Sequence, residues 1–244
     1  MRRKRAESQL EQVELVGIPH YAQGEADGLC VYYAMGMMLA ALHPAWGPAM
    51  HEPPRHSWKG SPVFQGLRRL YQSERLYKEK VADWFFNGLS IVEATRVLNR
   101  FFQQHFRSNA TYFIRRPVRA RRVKRLKYSR RKRAIARTWT AGDVINAISW
   151  HLPVIVAGGG LGSHAVLAVG YSVRGRGDRW ISFLDPAQIR PEWRACGDVF
   201  FDDAEIIMPE DAQFQEYRPP RVITVDGTPE FQRWEPRKGA EQQA

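Results

Sequence analysis

Apolar positions follow two different rhythms along this chain. From Leu29 to Leu42 they are nearly continuous, broken only around Gly36 and stopped at His43-Pro44. That pattern predicts a core helix beginning near Cys30 and running to about Leu42, with Asp27 and Gly28 as its caps. Phe64, Leu67, Leu70 and Tyr71 recur at helical spacing and predict a second helix over Pro62 to Tyr77. Ser90-Ile-Val-Glu93 is a capping box. The helix behind it should run to about Phe106, with Ile91, Ala94, Val97, Leu98, Phe101 and Phe102 on one stripe. Thr111 to Ile114 suggests a short strand, and Thr140 caps a short helix that ends near Trp150.

Beyond Trp150 the rhythm changes. Pro153 to Ala157, Ala165 to Val169 and Trp180 to Leu184 are strand-like runs separated by glycines, and Phe200-Phe201 with Ile206 to Met208 would add another. A helical first half followed by a sheet-rich second half is an α+β layout.

The chain of 244 residues is long enough for one core, or for one core in two lobes with a cleft between them. Residues 1–15 read as a charged arm with little to bury, 16–226 as a single domain, and 227–244 as a disordered tail. The stretch from Ala45 to Gly60, rich in Pro, His and Trp, reads as an irregular loop. No apolar run approaches the ~20 residues a membrane helix needs. The basic start, Met-Arg-Arg-Lys-Arg, is followed by no apolar segment, so no secretory signal is expected. Two cysteines are too few for a disulfide framework. The expected setting is the cytoplasm, with signal-independent secretion as an effector the other route. The seven histidines show no paired metal-ligand spacing, so no metal or cofactor is expected.

The formal charge of +12 is a local property. Residues 115–137 hold thirteen Lys and Arg and no acid, which leaves the remainder of the chain at −1. This run reads as a basic insertion, either solvated or contacting a partner. An acidic protein or the phosphates of a nucleic acid would fit it, and Tyr128 alone gives little aromatic interleaving for base stacking.

Three residues far apart in sequence suggest chemistry. Cys30 lies in the first turn of the apolar helix, where unpaired N–H groups and the helix dipole favour a thiolate. His164 follows the glycine-rich Gly158-Gly-Gly-Leu-Gly-Ser and starts an apolar strand, and Asp185 ends the next strand in Phe-Leu-Asp-Pro. Adjacent strand ends lie side by side, so the carboxylate can fix the tautomer of the ring. Upstream, the amide of Gln23 is a candidate donor to an oxyanion, with the Cys30 N–H as the second. Taken singly, Cys30 is as readily a core cysteine, His164 a hydrogen-bonded core histidine and Asp185 a turn residue. Cys196 has no helix start and no nearby histidine in sequence, and reads as incidental. Trp139, Trp150 and Trp180 flank the site in sequence and would either wall a cleft or pack a core.

The order Gln23…Asp27-Gly-Leu-Cys30, then Pro-Val-Ile-Val…His164-Ala-Val-Leu-Ala-Val-Gly-Tyr, then Phe-Leu-Asp185-Pro-Ala resembles the papain-like cysteine peptidases. It is closest to the compact bacterial branch related to bacteriocin leader (double-glycine) peptidases, and the likeness covers residues 16–42 and 140–188. The resemblance implies a helical N-terminal lobe whose central helix carries the cysteine, packed on an antiparallel C-terminal sheet. It implies Cys30 as nucleophile, His164 as base, Asp185 as the group orienting the base, and Gln23 in the oxyanion hole. The expected reaction is hydrolysis of a peptide or isopeptide bond in a protein or peptide substrate, through a thioester on Cys30. The same chemistry supports a deamidase, a transglutaminase or an acyltransferase. A non-catalytic module that grips a polyanion or a protein through the basic run is the reading of a different class.

Overall fold

The computed structural model describes residues 10–21, 30–42, 90–106, 111–118, 141–174, 178–188, 190–200, 204–210, 221–225 and 228–232. The fold class is α+β, and the sheet takes strands from both halves of the chain. Helix α1 spans Cys30–Leu42 and buries all of its residues. It has no polar stripe to turn towards water, and so it lies inside the core. Helix α2, Ile91–Phe106, is amphipathic and begins as the capping box requires. The Ser90 N–H donates to Glu93 Oε2 at 3.0 Å, and the Glu93 N–H donates back to Ser90 Oγ at 3.3 Å. Its six stripe residues are all buried. Helix α3 covers Ala141–Ser149 and buries Val144, Ala147 and Ile148.

Nine strands form one sheet among the described residues, and every pairing is antiparallel. They are β1 (Leu10–Leu15), β2 (Phe113–Val118), β3 (Val154–Ala157), β4 (Ala165–Arg174), β5 (Asp178–Leu184), β6 (Glu192–Ala195), β7 (Ala204–Pro209), β8 (Arg221–Val225) and β9 (Thr228–Gln232). β4 is the hub. β3 lies along its residues 165–168 and β1 along 170–174, end to end on one edge, while β5 occupies the other edge. A bulge between Ala168 and Gly170 marks the change of partner. Gly170 is needed there, because a Cβ would lie 2.9 Å from the Val13 carbonyl oxygen and 3.0 Å from Ser182 Cβ. β3 and the first half of β4 are buried on both faces, with α1 and α3 packed against them.

Helix α2 and the sheet are joined by specific polar contacts as well as by apolar packing. Asn99 on α2 donates to the Phe113 carbonyl at 2.9 Å, and its Oδ1 accepts the N–H groups of Tyr112 and Phe113, each at 2.8 Å. The Phe102 ring packs edge-on against Phe113 at 5.0 Å, beside Tyr112 at 5.3 Å.

Several expectations need correction. Leu10–Leu15 is no charged arm: it is an internal strand between β4 and β8, with Val13 and Leu15 buried. Its glutamates are accommodated by hydroxyls, Tyr171 donating to Glu11 at 2.6 Å and Ser182 reaching Glu14 at 3.4 Å. The strand at Thr111 to Ile114 instead covers Phe113–Val118, so the basic run begins as a strand paired to β7. The tail expected from residue 227 includes β9, paired to β8. Phe200 caps a short helix and takes no part in a strand. That helix, α4 (Cys196–Val199), begins at the cysteine for which no helix start was expected. The loop expected at 45–60, the helix expected at 62–77, and the basic residues 119–137 lie outside the described residues. Among the described residues no helix is long and apolar enough to cross a membrane.

Candidate active site

Three elements deliver the three predicted side chains to one place. Cys30 is the first residue of α1, so its N–H is one of the four that a helix leaves without an internal partner. No acidic residue occupies the first turn of the helix, whose N-terminal end carries the positive end of its dipole. His164 stands one residue before β4 and Asp185 one residue after β5. The pairing of Leu167 with Leu184 sets position 185 across from 166. The two-residue period of a strand then brings 164 to the same face as 166. Register alone thus aims the imidazole and the carboxylate at one another.

The contact is direct: His164 Nε2 lies 2.5 Å from Asp185 Oδ1. Cys30 lies near enough to the same ring to act on its charge. With Nε2 committed to the carboxylate, Nδ1 is the nitrogen left to take a proton. The hydrogen bond to Asp185, seconded by the nearby Cys30, raises the His164 pKa from 6.5 to about 9 against the opposing effect of burial. Burial is the largest single influence on Asp185 and works against its charge. The His164 contact, the Ala187 N–H at 2.8 Å and the nearby Arg194 together outweigh it, and the carboxyl pKa falls below its ordinary value. Cys30 and Asp185 are buried, while the side chain of His164 keeps 26% of its surface open. Solvent therefore meets the ring first.

The glycine-rich approach to His164 is a built turn. Gly158 donates back to the His164 carbonyl at 3.2 Å and opens a 3-10 turn over Gly159–Leu161. Gly159 has φ of +58° and a Cβ there would lie 2.5 Å from the Val199 carbonyl oxygen, so no other residue fits.

Cys30, His164 and Asp185 are therefore brought together. Gln23, the fourth predicted member, lies outside the described residues. Cys196 is separate: it is buried in α4, and burial pushes its thiol up to about 11. Trp150 and Trp180 are exposed, and neither packs a core. Among the described residues no group of three or more His, Cys, Asp or Glu is arranged to hold a metal ion.

His20 is a contributor not anticipated as part of the site. Its Nε2 donates to the backbone carbonyl of Asp185 at 2.8 Å. In sequence it stands in Ile-Pro-His-Tyr, and no local spacing signals a contact 165 residues away. No family model and no curated protein matches this sequence.

Proposed function

We propose that this chain is a papain-like cysteine hydrolase that cleaves a peptide or isopeptide bond through a thioester on Cys30. The observation that carries the reading is the His164 ring, in contact with Asp185 and near enough to Cys30 for the thiol to act on its charge. A thiol needs a base to become a nucleophile, and the base needs a partner that stabilises its charged form. One ring with a carboxylate on Nε2 and a thiol close by meets both needs.

The steps follow from these roles. The Cys30 proton passes to His164, and the thiolate adds to the substrate carbonyl carbon, moving the π electrons onto oxygen. The Cys30 N–H at the start of α1 is one donor to that oxyanion, and Gln23 is the proposed second. As the oxyanion collapses, the C–N bond breaks, and the imidazolium gives its proton to the departing amine. Water then adds to the thioester while His164 accepts its proton. Collapse releases the acid and expels the sulfur, and the enzyme is restored. Throughout, Asp185 keeps Nε2 protonated and oriented.

The papain-like assignment draws support from the α+β class, from the cysteine at the head of a core helix, and from the His and Asp at neighbouring strand ends. The direct test is the mass of a candidate peptide after incubation. A cut chain that disappears with Cys30→Ala supports the hydrolase. An intact chain heavier by about one dalton, the change from amide to acid, points to a deamidase on the same thioester chemistry. Full turnover by Cys30→Ala overturns the reading.

A further inference from the structure

The chain between β1 and α1 does more than connect them. It leaves the sheet at Leu15 and passes over the turn that follows β5, where His20 donates to the Asp185 carbonyl at 2.8 Å. The next residue, Tyr21, is buried. The same carbonyl also accepts the Gln188 N–H at 3.0 Å, which fills both of its acceptor positions. The Asp185 side chain takes the Ala187 N–H and His164 through Oδ1.

Asp185 is thus held by four hydrogen bonds with different reach. Those from Ala187 and Gln188 are internal to its own turn and hold its local shape. The one to His164 ties it to β4. Among the described residues, only the bond from His20 ties it to the chain between β1 and α1. A carbonyl is purely an acceptor, so the bond requires a proton on Nε2 of His20. That proton is present in the imidazolium and in the neutral tautomer that the carbonyl selects. The tie therefore survives a change in the charge of His20.

We infer that His20 is a positioning residue, locking the approach to the nucleophile onto the residue that orients the base. The inference rests on the hydrolase reading for its purpose, and on the His20 contact for its geometry. Displacement of the Asp185 turn would loosen its hold on the His164 ring, while Cys30, Asp185 and the neighbouring Arg194 keep their identities.

The test uses three substitutions in the full chain. His20→Gln keeps an N–H donor of similar reach, His20→Asn keeps the amide but withdraws it by one methylene, and His20→Phe keeps a ring without a donor. Two quantities are read: the titration of the His164 ring by NMR, and the rate at which iodoacetamide alkylates Cys30. Loss of one hydrogen bond at this point should slow alkylation about fivefold to tenfold in the Asn and Phe variants. In both, the His164 midpoint should move down from its wild-type position towards 6.5, and His20→Gln should restore both readouts. Should Phe fail to fold, the contrast between Gln and Asn decides alone. Wild-type behaviour in Asn, or equal loss in Gln and Asn, overturns the inference. Failure of the hydrolase reading looks different, because Cys30 would then be unreactive in the wild type while the His164 titration still reports on His20.

Discussion

The Nε2 of His164 and the Oδ1 of Asp185 meet at 2.5 Å between the ends of two neighbouring strands. This contact is the largest of the influences that raise the His164 pKa to about 9, and it leaves Nδ1 as the nitrogen that can take a proton. Replacing Asp185 by Asn keeps the shape and removes the charge. Turnover should fall on the order of 10²-fold, the lower end of what a well-placed acid or base contributes. The alkaline limb of the pH–rate profile should move down from about 9 towards 6.5. A profile whose alkaline limb stays in place would remove Asp185 from its assigned role.

The same contacts make stability depend on pH in a defined direction. His164 has a folded pKa above its ordinary 6.5, so its stabilisation is complete below 6.5 and is lost as pH rises through about 9. Asp185 has a folded pKa below its ordinary 3.8, so its contribution is present above that value and is lost as pH falls through the folded one. Thermal unfolding followed across pH should show Tm declining on the alkaline side through this window. His164→Ala should flatten that decline, and an unchanged slope would count against the assigned shift.

Asn99 offers a test of the fold apart from the chemistry. Its side chain satisfies one carbonyl and two N–H groups where the chain enters β2. Asn99→Ala strands those groups beside buried Tyr112 and Phe113. The expected cost is roughly 3 kcal/mol in urea unfolding, because unsatisfied buried groups are penalised more than a hydrogen bond is rewarded. A change below about 0.5 kcal/mol, typical of surface sites, would show that the contact does not join α2 to the sheet.

What the sequence made legible has a common physical basis: signals contained within a few turns or a few strand residues. The stripe from Ile91 to Phe102 and the Ser90–Glu93 box define α2 locally, and the structure keeps both. The nearly continuous apolar run of α1, interrupted only at Gly36, reports its complete burial. His164 and Asp185 stand at strand ends whose hydrophobic runs are plain in the sequence, and register does the rest. β1 was hidden because Leu-Glu-Gln-Val-Glu-Leu offers only Val13 and Leu15 as a buried alternation behind a charged start. What holds it comes from far away, through β4 and β8 and through the hydroxyls of Tyr171 and Ser182. His20 was hidden for the same reason, since its acceptor is a backbone carbonyl 165 positions distant.

One sulfur atom and the ring beside it carry the proposed chemistry. The most direct measurement is the site and rate of alkylation by iodoacetamide, mapped by mass spectrometry in the wild type and in His164→Ala. Cys30 should be labelled well ahead of Cys196, whose thiol burial holds up to about 11, and loss of the ring should slow Cys30 at least about tenfold. Labelling of Cys196 first, or a Cys30 rate indifferent to His164, would contradict the account.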